Sequence, residues 1–212
     1  MNDEYLIEKE EYKGYVIKLI QDESPQNPQT EWDNLGTMVC WHKRYDLGDK
    51  HNIRHEDFAG WDDIEAHLIK EYDACVVLPL YLYDHSGITM RTYSFNDRWD
   101  SGQVGFIYIS KEKVRKEYSV KHITKTLIEK ITKYLESEVS TYDDYLTGNV
   151  CGFSVEDEEG DVVDSCWGFY GDDGRKEAMS NAKNVIDHLH ERWVEKLIDA
   201  KVIEIKEEEV KV

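Results

Sequence analysis

Four side chains able to ligate a metal fall within 16 residues: Cys40, His42, His51 and His55. Zinc takes thiolate and neutral imidazole ligands, and two histidines four apart share one face wherever the backbone is helical. The local sequence argues against that backbone. Gly48, Asp49 and Asn52 are loop formers, and no Cys-x-x-Cys pair accompanies the histidines. Polar loop histidines beside a core thiol are the default expectation, with no cofactor. A metal-dependent enzyme of unknown substrate stands as the alternative that these four residues carry.

Other catalytic chemistry has less behind it. Ser101 follows Asp100 in a DSGQVG run, yet there is no Gly-x-Ser-x-Gly elbow, and a polar turn before a strand accounts for the pair. Neither a P-loop nor a Gly-x-Gly-x-x-Gly turn occurs, so phosphate cradling has no support. Asp46 with Asp49, and the DEEGDVVD run at 157–164, both miss the spacing of a calcium loop. Carboxylate pairs such as Asp62/Asp63 and Asp143/Asp144 are expected in any chain with 45 acidic residues. The sequence points away from an enzyme.

It points instead to charge. The 45 acidic residues face 26 basic ones, a formal net charge of −19. Nucleic acid and anionic membrane surfaces repel such a chain, so neither is expected as a direct partner. No stretch reaches the roughly 20 apolar residues of a membrane span, and the acidic start MNDEYLIEKEEYKG lacks the apolar core of a signal peptide. The excess is concentrated. Residues 136–174 hold 12 acidic side chains and no Lys or Arg, whereas residues 36–135 hold 15 of each sign. Glu156, Asp157, Glu158, Glu159, Asp161 and Asp164 fall on one hairpin, with Asp172 and Asp173 just beyond.

Such a run is either a solvated face that keeps the protein soluble or an interaction surface for a basic partner. Ordinary solvated surfaces intersperse the two signs, and this one does not. Residues on one face of a strand recur every ~6.8 Å, twice the ~3.4 Å phosphate spacing along a DNA strand. Aromatics add to the picture, with 6 Trp and 14 Tyr. Glu31-Trp32-Asp33, Gly60-Trp61-Asp62 and Arg98-Trp99-Asp100 place indoles beside acids. Most are expected in the core and the rest as anchors on a protein-binding face.

The elements that position these residues follow from periodicity. YVIKLI at 15–20, TMVCWHKRY, CVVLPLYLYD, ITMRTYSF and QVGFIYIS read as strands, Pro79 marking an edge or bulge. Helices are predicted over 61–72, 111–139 and 175–200, the last with Ala178, Ala182, Val185, Ile186, Leu189, Trp193 and Leu197 on one face. NVCGFSVEDEEGDVVDSCWGFYG reads as a hairpin turning near Gly160, and KVIEIKEEEVKV as a short edge strand or a fraying end. Four widely spaced cysteines fit a reducing compartment. Cys151 and Cys166 either face each other across the hairpin or remain reduced core thiols. The fold class is α+β, with a mixed or antiparallel sheet, about three helices and a C-terminal hairpin–helix unit. One domain over 1–212 is expected, any subdivision falling between 1–135 and 136–212.

The runs EWDNLGTMVCWHKRYDLGDKH at 31–51, YDDYLTGNVCGF and DSCWGFYG resemble a family of acidic proteins encoded by phages and mobile elements. The resemblance spans most of the chain and carries no catalytic residue. It implies a cytoplasmic accessory protein expressed in the host cell. Antirestriction proteins of the ArdA type, acidic mobile-element proteins that mimic DNA, offer an analogy. The expected function is binding and inhibition of a basic, nucleic-acid-handling host protein, through Glu156 to Asp164 with Asp172 and Asp173. A structural or regulatory phage protein is the other alternative, and self-association stays open.

Overall fold

The computed structural model describes residues 5–97 and 99–209, with side chains as far as Val194. Along the chain run β1 (Leu6–Tyr12), β2 (Tyr15–Gln21), α1 (Pro28–Glu31), β3 (Thr37–Cys40), α2 (Trp61–Glu71), β4 (Ala74–Asp84), β5 (Ile88–Arg91), β6 (Ser101–Ser110), α3 (Lys111–Glu117), α4 (Lys125–Thr147), β7 (Val150–Glu156), β8 (Val162–Tyr170) and α5 (Gly171–Glu209). The class is α+β, with two antiparallel four-stranded sheets. The chain condenses into two units, where one domain over 1–212 or a subdivision into 1–135 and 136–212 is the expectation. A central unit, Gln26–Gly148, is inserted into a terminal unit made of Met1–Pro25 and Asn149–Val212. Linear reading has no means of pairing β2 with β7, which lie far apart in sequence.

In the terminal unit the strand order is β1-β2-β7-β8. β1 and β2 form a hairpin over Lys13 and Gly14, both at positive φ. The sequence LIEKEEY hides β1, because charged residues suit an edge strand better than apolar alternation does. α5 lays Ala178, Ala182 and Ile186 across Ile17, Leu19, Cys151, Phe153 and Val155, all buried. Alanines at the contact let the helix approach the sheet closely. The predicted apolar stripe stops at Ile186: Leu189 is half-buried, Trp193 is 58% exposed, and Leu197 lies outside the described side chains. Where an edge strand or frayed end was expected after residue 200, α5 continues to Glu209. With no Gly or Pro after Arg175, nothing in the tail interrupts the helix.

In the central unit the order is β3-β6-β4-β5. Strand alternation turns Ile107 and Ile109 to one face and Phe106 and Tyr108 to the other. α4 covers the first with Ile131, Leu135, Val139 and Tyr142, and α2 covers the second with Ile64 and Leu68. Pro79 sits on β4 before its pairing with β5 begins at Tyr81, so the missing N–H costs no ladder bond on that side. The helix predicted over 111–139 is two helices. Ser110 caps α3 by accepting from the Lys113 N–H, and Thr124 starts α4 afresh by accepting from the Leu127 N–H.

Candidate functional site

The β7–β8 turn is built by one of its own acids. Asp157 Oδ1 accepts the N–H groups of Glu159 and Asp161 at 3.1 and 2.8 Å, and the Asp157 N–H donates to the Asp161 carbonyl at 3.0 Å. Gly160 takes φ +87 there, a value that a side chain resists. Asp157 is therefore half-buried and committed to the turn, not to a partner. Glu156 is also committed: Lys18 Nζ lies 2.6 Å from its Oε1, in a pair largely shielded from water. Asp173 pairs with Lys176 at 2.7 Å, fully at the surface. Glu158, Glu159, Asp161 and Asp164 are exposed and form no ion pair among the described residues, and Asp172, also exposed, lies in the field of Lys176. The eight predicted site residues thus divide, and among them Glu158, Glu159, Asp161 and Asp164 present carboxylates without a cationic partner.

What the acidic pattern missed is the strand beside them. β8 is the sheet's outer edge, and every residue from Val162 to Gly168 is exposed. Val162, Val163 and Trp167 are 50%, 41% and 46% exposed, an apolar strip set among the acids. Trp167 has a seat: its ring lies across Gly152 of β7, where any Cβ would overlap it. A glycine inside a buried strand was the available signal, since such a gap marks a close approach. Cys166 lies opposite Phe153 and is exposed, while Cys151 lies opposite Phe169 under α5, so the two thiols do not face each other; all four cysteines are free.

The acids of the central unit behave differently. Glu138 on α4 accepts the Leu35 N–H at 2.5 Å and the Gly36 N–H at 2.8 Å through its two oxygens. Asp143 accepts the Met90 N–H at 2.6 Å. Burial pushes both carboxyls above the usual range, against the lowering effect of those backbone donors. Asp49 Oδ2 accepts from Gln29 Nε2 and from the Met38 N–H, both at 2.7 Å. The acidic segment that looks continuous in sequence therefore spans both units, and part of it is internal fastening.

The four metal candidates do not converge. Cys40 is buried, and burial, with Asp49 adding to it, pushes its thiol up to about 12. His51 Nε2 donates to the Cys40 carbonyl at 3.0 Å. His51 and His55 pack edge-on against Trp41, and His55 against Trp61, in an aromatic cluster continuing to Phe106. His42 is engaged elsewhere, its Nδ1 accepting the N–H groups of Arg44 and Tyr45. Among the described residues no group of three or more His, Cys, Asp or Glu side chains could hold a metal ion. No helix among them is long and apolar enough to cross a membrane.

Compared with family models, curated proteins and solved structures, the chain finds no match in any of the three.

Proposed function

We propose that the chain is an acidic accessory protein of a phage or mobile element, acting in the host cytoplasm to bind and inhibit a basic, nucleic-acid-handling protein. The observation that carries this reading is the β7–β8 turn and edge strand. Glu158, Glu159, Asp161 and Asp164 stand there without cationic neighbours, around Val162, Val163 and Trp167. Exposed like charges steer a cationic partner inward over a Debye length of about 10 Å, and the apolar strip supplies the desolvated anchor that charge alone lacks. A surface that attracts a DNA-binding face competes with DNA for it.

A second reading draws on Asp164, whose Oδ1 accepts the neighbouring Ser165 N–H at 2.7 Å. Charged residues on an edge strand discourage sheet-to-sheet pairing, so these acids would also serve a structural or regulatory protein by keeping it soluble. The two readings separate in a capture experiment from host lysate, run with the full chain and with a variant carrying Glu158→Ser, Glu159→Ser, Asp161→Ser and Asp164→Ser. Inhibition predicts nucleic-acid-binding proteins that the wild type retains at low salt, that duplex DNA displaces, and that the variant loses. Equal capture by both chains, or capture that duplex DNA leaves unchanged, overturns the inhibitor reading.

A further inference from the structure

Trp99, in the central unit, is 95% exposed, yet the loop that carries it is braced on both sides. Asp97 Oδ1 accepts the N–H groups of Trp99 and Asp100 at 2.7 and 3.0 Å, and the Ser101 hydroxyl donates to the Asp97 carbonyl. Earlier in the loop the Arg91 guanidinium lies 3.7 and 4.2 Å from the ring centres of Phe95 and Tyr93, and donates to the carbonyls of Tyr93 and Ser94. These backbone bonds at Asp97, Trp99 and Asp100 present the indole almost wholly to water.

Beside it opens a groove of about 550 Å³, lined with Trp99 by His42, Arg44, Asp84, Asp100 and Gln103. Small-molecule sites run to about 300–1,000 Å³. The polar wall is set before any ligand arrives. The two backbone N–H groups on His42 Nδ1 leave its proton on Nε2, ready to donate. Asp84 is held by both the Arg44 guanidinium and the Tyr45 hydroxyl, and Asp100 stands 3.1 Å from His85. Each carboxylate already has a donor, and among the described lining residues Lys43 is the one cation outside these pairs.

This composition discriminates among ligands. A phosphate ester would meet two carboxylates, and an apolar molecule would cut the wall's remaining lone pairs and N–H groups off from water. A neutral polyhydroxylated ring satisfies both halves. Its C–H face suits the negative face of the indole, and its adjacent hydroxyls suit planar carboxylate, guanidinium and amide groups. We infer that this groove binds a neutral saccharide, with Trp99 as the stacking platform. The site is independent of the hairpin reading.

The test titrates the full chain with maltohexaose, cellohexaose and chitohexaose, and with glucose 6-phosphate, following indole emission and heat. At least one neutral hexaose should quench emission saturably, with an affinity that high salt leaves unchanged. Trp99→Ala should weaken it on the order of tenfold with the melting temperature unmoved, and Gln103→Ala should weaken it less. The inference is overturned if none of the three hexaoses binds, if Trp99→Ala binds as well as wild type, or if glucose 6-phosphate binds more tightly than every hexaose.

Discussion

The carboxylates of the central unit and those of the β7–β8 hairpin are the same chemical group put to opposite uses. Glu138, Asp143 and Asp49 turn inward and accept backbone N–H groups that loops and a strand end leave over. Glu158, Glu159, Asp161 and Asp164 turn outward and fasten little beyond one neighbouring N–H. The difference is made by what stands nearby. Loop and edge N–H groups packed under α4 need an acceptor, whereas on an edge strand water meets the need. A count of acids measures neither role.

The comparison is most sharply tested at Glu138. Glu138→Ala leaves the Leu35 and Gly36 N–H groups without their acceptor, and should cost on the order of 3 kcal/mol in denaturant unfolding. A loss no larger than that of an exposed acid would erase the distinction. The same group has a pH signature. Because the Glu138 and Asp143 carboxyls are raised in the folded protein, the folded state holds their protons more readily than the unfolded chain does. Their contribution is fullest below the usual carboxylate range and declines as pH rises through the raised folded values. Wild type, compared with a Glu138→Gln/Asp143→Asn variant, should lose stability across that window. An unchanging difference would show that the burial has no such effect.

At the hairpin the expected effects shrink. Gly152→Val drives a side chain into the Trp167 ring and should cost about 1–3 kcal/mol, with the indole emission shifting to the red as the ring lifts away. Asp157→Ala removes two turn hydrogen bonds and should cost about 1 kcal/mol, measured by thermal unfolding. The combined Glu158→Ser, Glu159→Ser, Asp161→Ser and Asp164→Ser variant should stay within about 0.5 kcal/mol of wild type or gain slightly, as like charges separate. A large loss there would mean these acids are structural after all.

Much of this was legible in the sequence. The strands of the central sheet, α2, the β7–β8 hairpin and Gly160 at its turn all follow from residue periodicity and turn chemistry, because each is decided within a dozen residues. What was not legible is non-local. Glu138 reads as one more surface acid until Leu35 and Gly36 arrive beneath it. Asp157 and Glu156 look like Glu158 in the sequence, and differ only through a turn's own N–H groups and Lys18 on another strand. Trp193 and Trp61 both sit on amphipathic stripes, yet only Trp61 finds a sheet to pack on.

The insertion of the central unit also sets a timetable. The chain leaves the terminal sheet after β2 and rejoins it at β7, and the Asp22 N–H donates to the Val150 carbonyl at 2.9 Å where the two passages meet. During synthesis β2 leaves the ribosome with Ile17 and Leu19 ready, but their partners Cys151, Phe153 and Val155 have not yet been translated. The central unit has its whole sequence out first and can fold while this apolar strand waits uncovered. A ribosome stalled between residues 26 and 148 would hold a nascent chain whose first hairpin has nothing to pair with, and chaperones would find it there.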